Sequence, residues 1–237
     1  MLVGVLSNLE APLLPLLIRS LRKEGLHNIC VIADKKVLSE KDRRIWIERT
    51  RGAFDSDGNS LYDFGLWCMP FYLVQNHNGD DCMKLLERVR PDILINGGTP
   101  RKLEKHIIEY PPLGVINVHP GLLPKYRGSC CVEWAILNDD PVGITAHFMT
   151  EGYDEGPVID TELCCFTIDD DYFSIREQVY RRSVSMMART TLKVLKGKLT
   201  RDDCIPQGNG SFFSPITKEQ LQEVIDKIQL RAYRHMK

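Results

Sequence analysis

Five short apolar runs, separated by segments of helical periodicity, constrain the fold of this chain more than any other feature. Leu2 to Leu6, Ile29 to Ala33, Phe71 to Val74, Ile93 to Ile95 and Val115 to Val118 have the length of strands. Between them, Leu13 to Leu21, Ser39 to Arg49, Asp81 to Val89 and Leu103 to Ile108 have the spacing of helices, and Ser39 with Asp42 resembles a capping box. Strands that read as continuous apolar runs, each followed by a helix, predict an α/β, Rossmann-like fold: a mostly parallel twisted sheet with helices on both faces. The ligand crevice of such a sheet lies outside the carboxyl ends of its strands, where the loop after Val118 emerges.

Beyond that loop the spacing predicts a helix over Ser129 to Leu137, strands over Val142 to Met149 and Val158 to Phe166, and a long amphipathic helix over Tyr172 to Leu195, ended by Gly197. The long helix reads as scaffold. Residues 1–197 are expected to form the main domain and 198–237 a small C-terminal appendage. In the appendage, Gln207 to Gly210 reads as a turn leading to Phe212 and Phe213, and Thr217 with Gln220 opens a last helix running to about Leu230. A length of 237 residues suits one core with a small addition better than two equal domains.

The loop after Val118 carries the chemistry. Asn117-Val118-His119-Pro120-Gly121-Leu122-Leu123-Pro124-Lys125-Tyr126-Arg127-Gly128 is followed by Glu151-Gly152-Tyr153-Asp154-Glu155-Gly156, which falls between two expected strands. Asn117 can donate to a developing oxyanion, His119 can move protons near neutral pH, and Asp154 can orient that imidazole. Alternate residues of a strand end face one side, which suits Asn117 and His119. Taken singly, each has an ordinary alternative: an asparagine closing a turn, a satisfied histidine, a Gly-Tyr-Asp-Glu-Gly turn. His147, in an alternating strand pattern, reads first as part of a polar layer. Recognised metal-ligand spacings are lacking, so no metal is expected.

The run from Asn117 to Gly128 with the later Asp154 resembles the folate-dependent formyltransferases, most closely from about Pro91 to Ile159. The resemblance implies formyl transfer from 10-formyltetrahydrofolate, as co-substrate, to an amine, with Asn117, His119 and Asp154 as the catalytic set. It further implies that Arg101, Lys102 and Leu103 hold the pterin through their main chain, opposed by Glu151, Gly152 and Tyr153.

Members of this family differ in acceptor. Ser7-Asn8-Leu9-Glu10-Ala11-Pro12, without glycines and with a carboxylate, makes a poor phosphate cradle after the first strand, which argues against a ribonucleotide acceptor. Arg127 stands where the purine enzymes have proline. Lys198 to Lys237 holds seven Lys+Arg against five Asp+Glu, too few cations to track a phosphate backbone, so tRNA is not the expected acceptor. Relatives that hydrolyse the folate carry an additional N-terminal domain, whereas Met1 directly precedes the first strand here. The segment from Gly128 to Ile159, with Glu133-Trp134 and Asn138-Asp139-Asp140-Pro141-Val142-Gly143, most resembles the enzymes that formylate nucleotide-linked amino sugars. On that reading Gln75, Asn76 and Asn78 are candidates for sugar hydroxyls or diphosphate oxygens, and Phe212 or Phe213 for the nucleobase. Each has a plainer alternative, a solvated turn for the first three and an anchoring or dimer contact for the aromatics. The alternatives in function are an acceptor such as methionyl-tRNA or another amine, or a folate-binding protein without catalysis.

With 31 Lys+Arg against 32 Asp+Glu, no overall field gathers nucleic acid or an anionic membrane. Cys30, Cys68, Cys82, Cys130, Cys131, Cys164, Cys165 and Cys204 show no Cys-x-x-Cys spacing and read as apolar fillers of a reduced, cytoplasmic protein. The first apolar stretch is broken by Asn8, Glu10 and prolines, unlike a signal peptide or membrane helix. A homodimer through the C-terminal segment is what the family implies.

Overall fold

The computed structural model describes residues 1–37, 39–54 and 69–237, with the side chains of Lys41 and Asp42 left out. Cys68 and the Asp42 half of the expected capping box therefore lie outside the described residues. The seven-stranded sheet has the order β3-β2-β1-β4-β5-β7-β8, with β1 at Val3–Asn8, β2 at Ile29–Asp34, β3 at Phe71–Val74, β4 at Ile93–Asn96, β5 at Val115–His119, β7 at Gly143–Phe148 and β8 at Val158–Leu163. β3 through β5 in that order are parallel, and β7 and β8 continue antiparallel.

Helices cover both faces, which is why β1 and β2 are buried along their whole length. On one face, α1 (Leu14–Lys23) sets Leu14, Leu17, Ile18 and Leu21, an i, i+3, i+4, i+7 stripe, against Val3, Val5, Val31 and Ile95. The long α6 (Tyr172–Leu195) packs there through Val184, Met187 and Ala188. On the other face, Leu85 and Leu86 of α3 (Asp80–Val89) and Ile107 and Ile108 of the short α4 (Lys105–Ile108) cover Leu6, Ile32 and Leu94. The remaining early helix, α2 (Glu40–Thr50), lies against α6.

The expected strand ending at Phe166 stops at Leu163, and Phe166 instead bridges to Met236. The helix expected from Ser129 begins at Cys131 and forms α5 (Cys131–Leu137). A second, two-stranded sheet was not foreseen: β6 (Tyr126–Gly128) pairs in parallel with β9 (Ser211–Phe213), with Arg127 opposite Phe212. The last helix, α7 (Lys218–Gln229), opens on a formed Thr217–Gln220 capping box and buries Val224 and Ile228 against Val132, Ala135 and Ile136. The segment after Gly197 thus shares a core with α5 and α6.

No helix among the described residues is long and apolar enough to cross a membrane. Burial raises the thiols of Cys30 and Cys164 to about 11 and those of Cys82 and Cys131 to about 12, as expected of packing residues.

Candidate active site

The strand order reverses at β1, whose neighbours are β2 and β4, so the loops after β1, β4 and β5 open toward one crevice. Asn8 Nδ2 donates to Gly98 O at 2.9 Å and ties the first two loops together. At the end of β4, Asn96 Oδ1 accepts from the Gly98 and Thr99 amides, while its Nδ2 donates to Asn117 Oδ1 at 3.0 Å. This fixes the orientation of the Asn117 amide. Its Nδ2 then meets His147 Nε2 at 3.2 Å, because Asn117 and His147 face each other across the antiparallel β5–β7 pair. His147 Nδ1 lies 3.0 Å from Phe148 O and must carry the proton donated there, which leaves Nε2 to accept from Asn117.

His119 lies deeper. Its Nε2 donates to Tyr126 O at 2.8 Å, and Nδ1 stands 3.3 Å from Asp154 Oδ2. The loop can fold over the ring only because residue 121 is glycine: a β-carbon there would stand 2.7 Å from His119 Nε2 and 2.8 Å from Tyr126 O. Thr145 staples the same loop, donating to Gly121 O and accepting from the Leu123 amide. Burial pushes the His119 pKa below its ordinary value, and His147 adds to that, against the pull of Asp154.

Asp154 occupies the left-handed region (φ 55°), a conformation Asp tolerates better than most residues, and its side chain faces both histidines. Oδ2 also accepts from the Gly128 amide at 3.0 Å, and Oδ1 lies 3.6 Å from His147 Nε2. Burial works to raise this carboxyl, yet the two imidazoles and the Gly128 amide outweigh it and hold the pKa below the usual carboxylate range.

Two cavities meet here. One, of about 320 Å³, is lined by Arg101, Lys102, Leu103, His147, Gly152, Tyr153 and Asp154. The other, of about 460 Å³, is bounded by Asn8, Pro12, Leu17, Trp46, Tyr180 and Met187. Asn96, Thr99, Pro100 and Asn117 line both. His119 lines neither; the histidine on the wall of the smaller cavity is His147, and His119 stands behind Asp154.

The remaining candidates separate. Asn78 is occupied as a clamp, its Nδ2 donating to Lys102 O at 2.9 Å and its Oδ1 accepting from the Glu104 amide at 3.0 Å. Asn76 Oδ1 accepts from the Asn78 amide, and Gln75 is bonded through its own amide to Asp81. These three brace the Arg101 loop from outside and line neither cavity. Arg101 turns its guanidinium away onto the fully buried Asp34, at 2.7 Å. Glu151 points outward, 3.9 Å from Lys105. Phe213 is stacked on Tyr126, with ring centroids 5.0 Å apart, and tilts against Trp134, so its ring is not open to a base; Phe212 faces outward beside Tyr153.

Sequence reasoning missed Gln207. Its Nε2 donates to Asp154 O and Gly156 O, and its Oε1 accepts from Arg127, which also bonds Gly208 O. A segment distant in sequence thereby latches the Asp154 loop. No local signal marks such a residue, although the turn-rich Gln207-Gly208-Asn209-Gly210 run did mark a bend. Among the described residues, no cluster of three His, Cys, Asp or Glu is arranged to hold a metal.

Comparison with known proteins agrees with this architecture. The chain is 30% identical over 154 residues to the methionyl-tRNA formyltransferase of Kosmotoga olearia, a match covering 64% of this chain and 49% of that one. The chain spans about half the length of the curated relatives it matches. The N-formyltransferase of Helicobacter canadensis, in complex with folinic acid and dTDP-3-aminofucose, shares the fold with a TM-score of 0.64 at 16% identity, covering 100% of this chain and 84% of that one. The phosphoribosylglycinamide formyltransferase of Anaplasma phagocytophilum also gives a TM-score of 0.64, at 18% identity, covering 90% and 99%. The formyl transferase family model matches residues 3–191, from the first strand almost to the end of the long helix and through every residue of the Asn117, His119, His147 and Asp154 cluster, and the chain belongs to that family.

Proposed function

We propose that the protein transfers a formyl group from 10-formyltetrahydrofolate to the primary amine of a nucleotide-linked amino sugar, a precursor of cell-surface glycan. The observation that carries this reading is the meeting of two cavities at Asn117, as a group transfer between two substrates requires. The smaller cavity suits the folate head, because one wall is the 99–103 loop and the other the 152–154 loop, both offering main-chain groups to a polar heterocycle edge. The larger cavity takes the acceptor.

Bound there, the folate supplies an activated formyl carbon whose oxygen gains negative charge during transfer. Asn117 Nδ2 has two hydrogens; one is used on His147, and the other is free for that oxygen. The attacking amine must shed a proton. Asp154 faces the cavity to receive it as the new C–N bond forms, His119 Nδ1, held 3.3 Å behind, shares it with Oδ2, and the proton returns to the folate nitrogen when the formyl C–N bond breaks and tetrahydrofolate leaves. His119 is thus a positioning residue that sets the basicity of Asp154.

Several features support the amino-sugar acceptor. The turn after β1 carries Glu10, ion-paired to Arg43, where a phosphate would need bare amides. Trp46 and Tyr180, with ring centroids 4.8 Å apart, line the larger cavity and offer aromatic surface to such an acceptor. The Kosmotoga relative favours a second reading, methionyl-tRNA as acceptor. Mass spectrometry after incubation with 10-formyltetrahydrofolate and a panel of uridine-, thymidine-, cytidine- and guanosine-linked amino sugars, with charged initiator tRNA in parallel, separates the two. A formylated sugar supports the proposal; formylated methionyl-tRNA alone replaces it.

Two further outcomes are expected. His119→Ala lowers kcat by roughly 10²-fold or more and flattens the pH profile while leaving folinic acid affinity nearly unchanged; an unimpaired variant removes His119 from the proton path. Gln207→Ala frees the Asp154 loop and lowers kcat by about tenfold, with melting temperature little changed because Gln207 is partly exposed. Equal kcat in steady-state assays would show that the latch is dispensable.

A further inference from the structure

The strand ends carry a second amide beside Asn117. Ile95 pairs with Ile116 across the parallel β4–β5 ladder, so the next residues, Asn96 and Asn117, leave their strands side by side on one face of the sheet. Both line the two cavities. The chain then turns back through two glycines: φ at Gly98 is 106°, which L side chains rarely adopt, and a β-carbon on Gly97 would stand 2.6 Å from Val5 Cγ1. That turn brings the Gly98 and Thr99 amides onto Asn96 Oδ1, at 3.1 and 2.9 Å.

The side-chain oxygen of Asn96 is thus occupied by the main chain, which settles the end of its amide that donates. Nδ2 has two hydrogens. One goes to Asn117 Oδ1 at 3.0 Å, and the other has no acceptor among the described residues. His147, the neighbour on the far side of Asn117, accepts at Nε2 and has no hydrogen there to offer a developing anion. Asn96 has one, and main-chain amides hold it in place independently of Asn117.

We propose that Asn96 is a second oxyanion donor, its remaining Nδ2 hydrogen meeting the same formyl oxygen as the free hydrogen of Asn117. The assignment rests on the formyl-transfer reading above. As the amine lone pair adds to the formyl carbon, the carbonyl π pair moves onto oxygen. It returns when the C–N bond to the folate breaks, the folate nitrogen keeping that bond's electrons and taking the proton that the amine gave up. Between those events the oxygen carries negative charge, and two donors fixed in advance stabilise it more than one. Asn96 is therefore a catalytic residue and not only a support for Asn117.

Steady-state kinetics of Asn96→Ala and Asn96→Asp, each made in the unaltered protein and in Asn117→Ala, test this, with folinic acid titration to check the folate site. Asn96→Asp keeps an acceptor for the Gly98 and Thr99 amides but has no hydrogen to donate. Its kcat should fall roughly 10²-fold or more while KM for the folate changes by less than about threefold. In the Asn117→Ala background, Asn96→Ala should lower kcat by about a further tenfold, because a residue that only oriented Asn117 would have nothing left to orient. Should Asn96→Ala lose folinic acid binding, Asn96→Asp carries the same comparison. No further loss in that background, or an Asn96→Asp protein whose kcat stays within about threefold of its parent, overturns the second donor and leaves the formyl-transfer reading standing. Failure of the unaltered protein to formylate any acceptor overturns both.

Discussion

Replacing Asn117 by alanine is expected to lower kcat by roughly 10²–10³-fold, the cost of losing one preorganised donor to a developing oxyanion. Asn117 lines both cavities, and its amide is locked from both ends, by Asn96 Nδ2 on Oδ1 and by His147 Nε2 on Nδ2. The locked amide needs no reorganisation during transfer, which is where such a donor derives its advantage over water. Because the interaction strengthens only as charge develops, KM for either substrate should move little while kcat falls. Asn117→Asp is the sharper variant. It keeps the shape but places a carboxylate where charge accumulates, and activity should fall at least as far as in the alanine protein. Steady-state kinetics with the formylated acceptor quantified by mass spectrometry checks both, and a kcat within about tenfold of the unaltered protein would remove Asn117 from the oxyanion role.

The route to that residue shows which parts of the molecule were legible in sequence. The sheet was, because strands covered on both faces must be apolar at every position, and Ile29 to Ala33 and Ile93 to Ile95 have no other reason to be so. The carboxyl end of β5 followed from the same argument. The arrangement inside the site was less accessible. Asn117 and His119 share a strand face, yet Gly121 folds the next loop across the imidazole and leaves only Asn117 open to the cavities. His147 was read first as part of a polar layer, because its partner Asn117 is thirty residues away and is reached only through the β5–β7 register. The β6–β9 pair is three residues long on each side and joins positions more than eighty apart, too short for periodicity and too distant for any local rule. It decides the fate of both phenylalanines, sending Phe213 under and Phe212 out.

The same limitation hid the most consequential buried group. Glu133 was noticed only as part of a motif, but its side chain is fully buried among groups from α2 and α6. Tyr172 donates to its Oε1 at 2.6 Å, Arg49 Nε stands 3.8 Å from that oxygen, and Arg176 Nη1 stands 3.6 Å from Oε2. Burial works to raise the Glu133 pKa, yet the two guanidinium groups and the Tyr172 hydroxyl hold it below the ordinary carboxylate range. Glu133→Ala would leave Arg176, only 3% exposed, as an uncompensated charge, and should destabilise the protein by about 3–5 kcal/mol, read as a lower urea midpoint at unchanged m-value. Because the folded-state pKa is depressed, the stabilisation from Glu133 ionisation is fully present above the unfolded carboxylate value and is lost as pH falls through the folded one. The difference between the unaltered and variant proteins should therefore narrow under acid. The pair Glu133→Leu with Arg176→Met, which removes the two fully buried charges and leaves only the partly exposed Arg49, should recover much of the loss, since a buried pair gains little over a well-packed apolar replacement. Arg49 ties this cluster to α2, and α2 also contributes Trp46, which packs on Tyr180 in the wall of the larger cavity. Activity of the repacked double variant should then show a raised KM for the acceptor with folate KM unchanged. A Glu133→Ala protein as stable as the unaltered one would mean that water or relaxation neutralises Arg176, and that the cluster does not hold this wall.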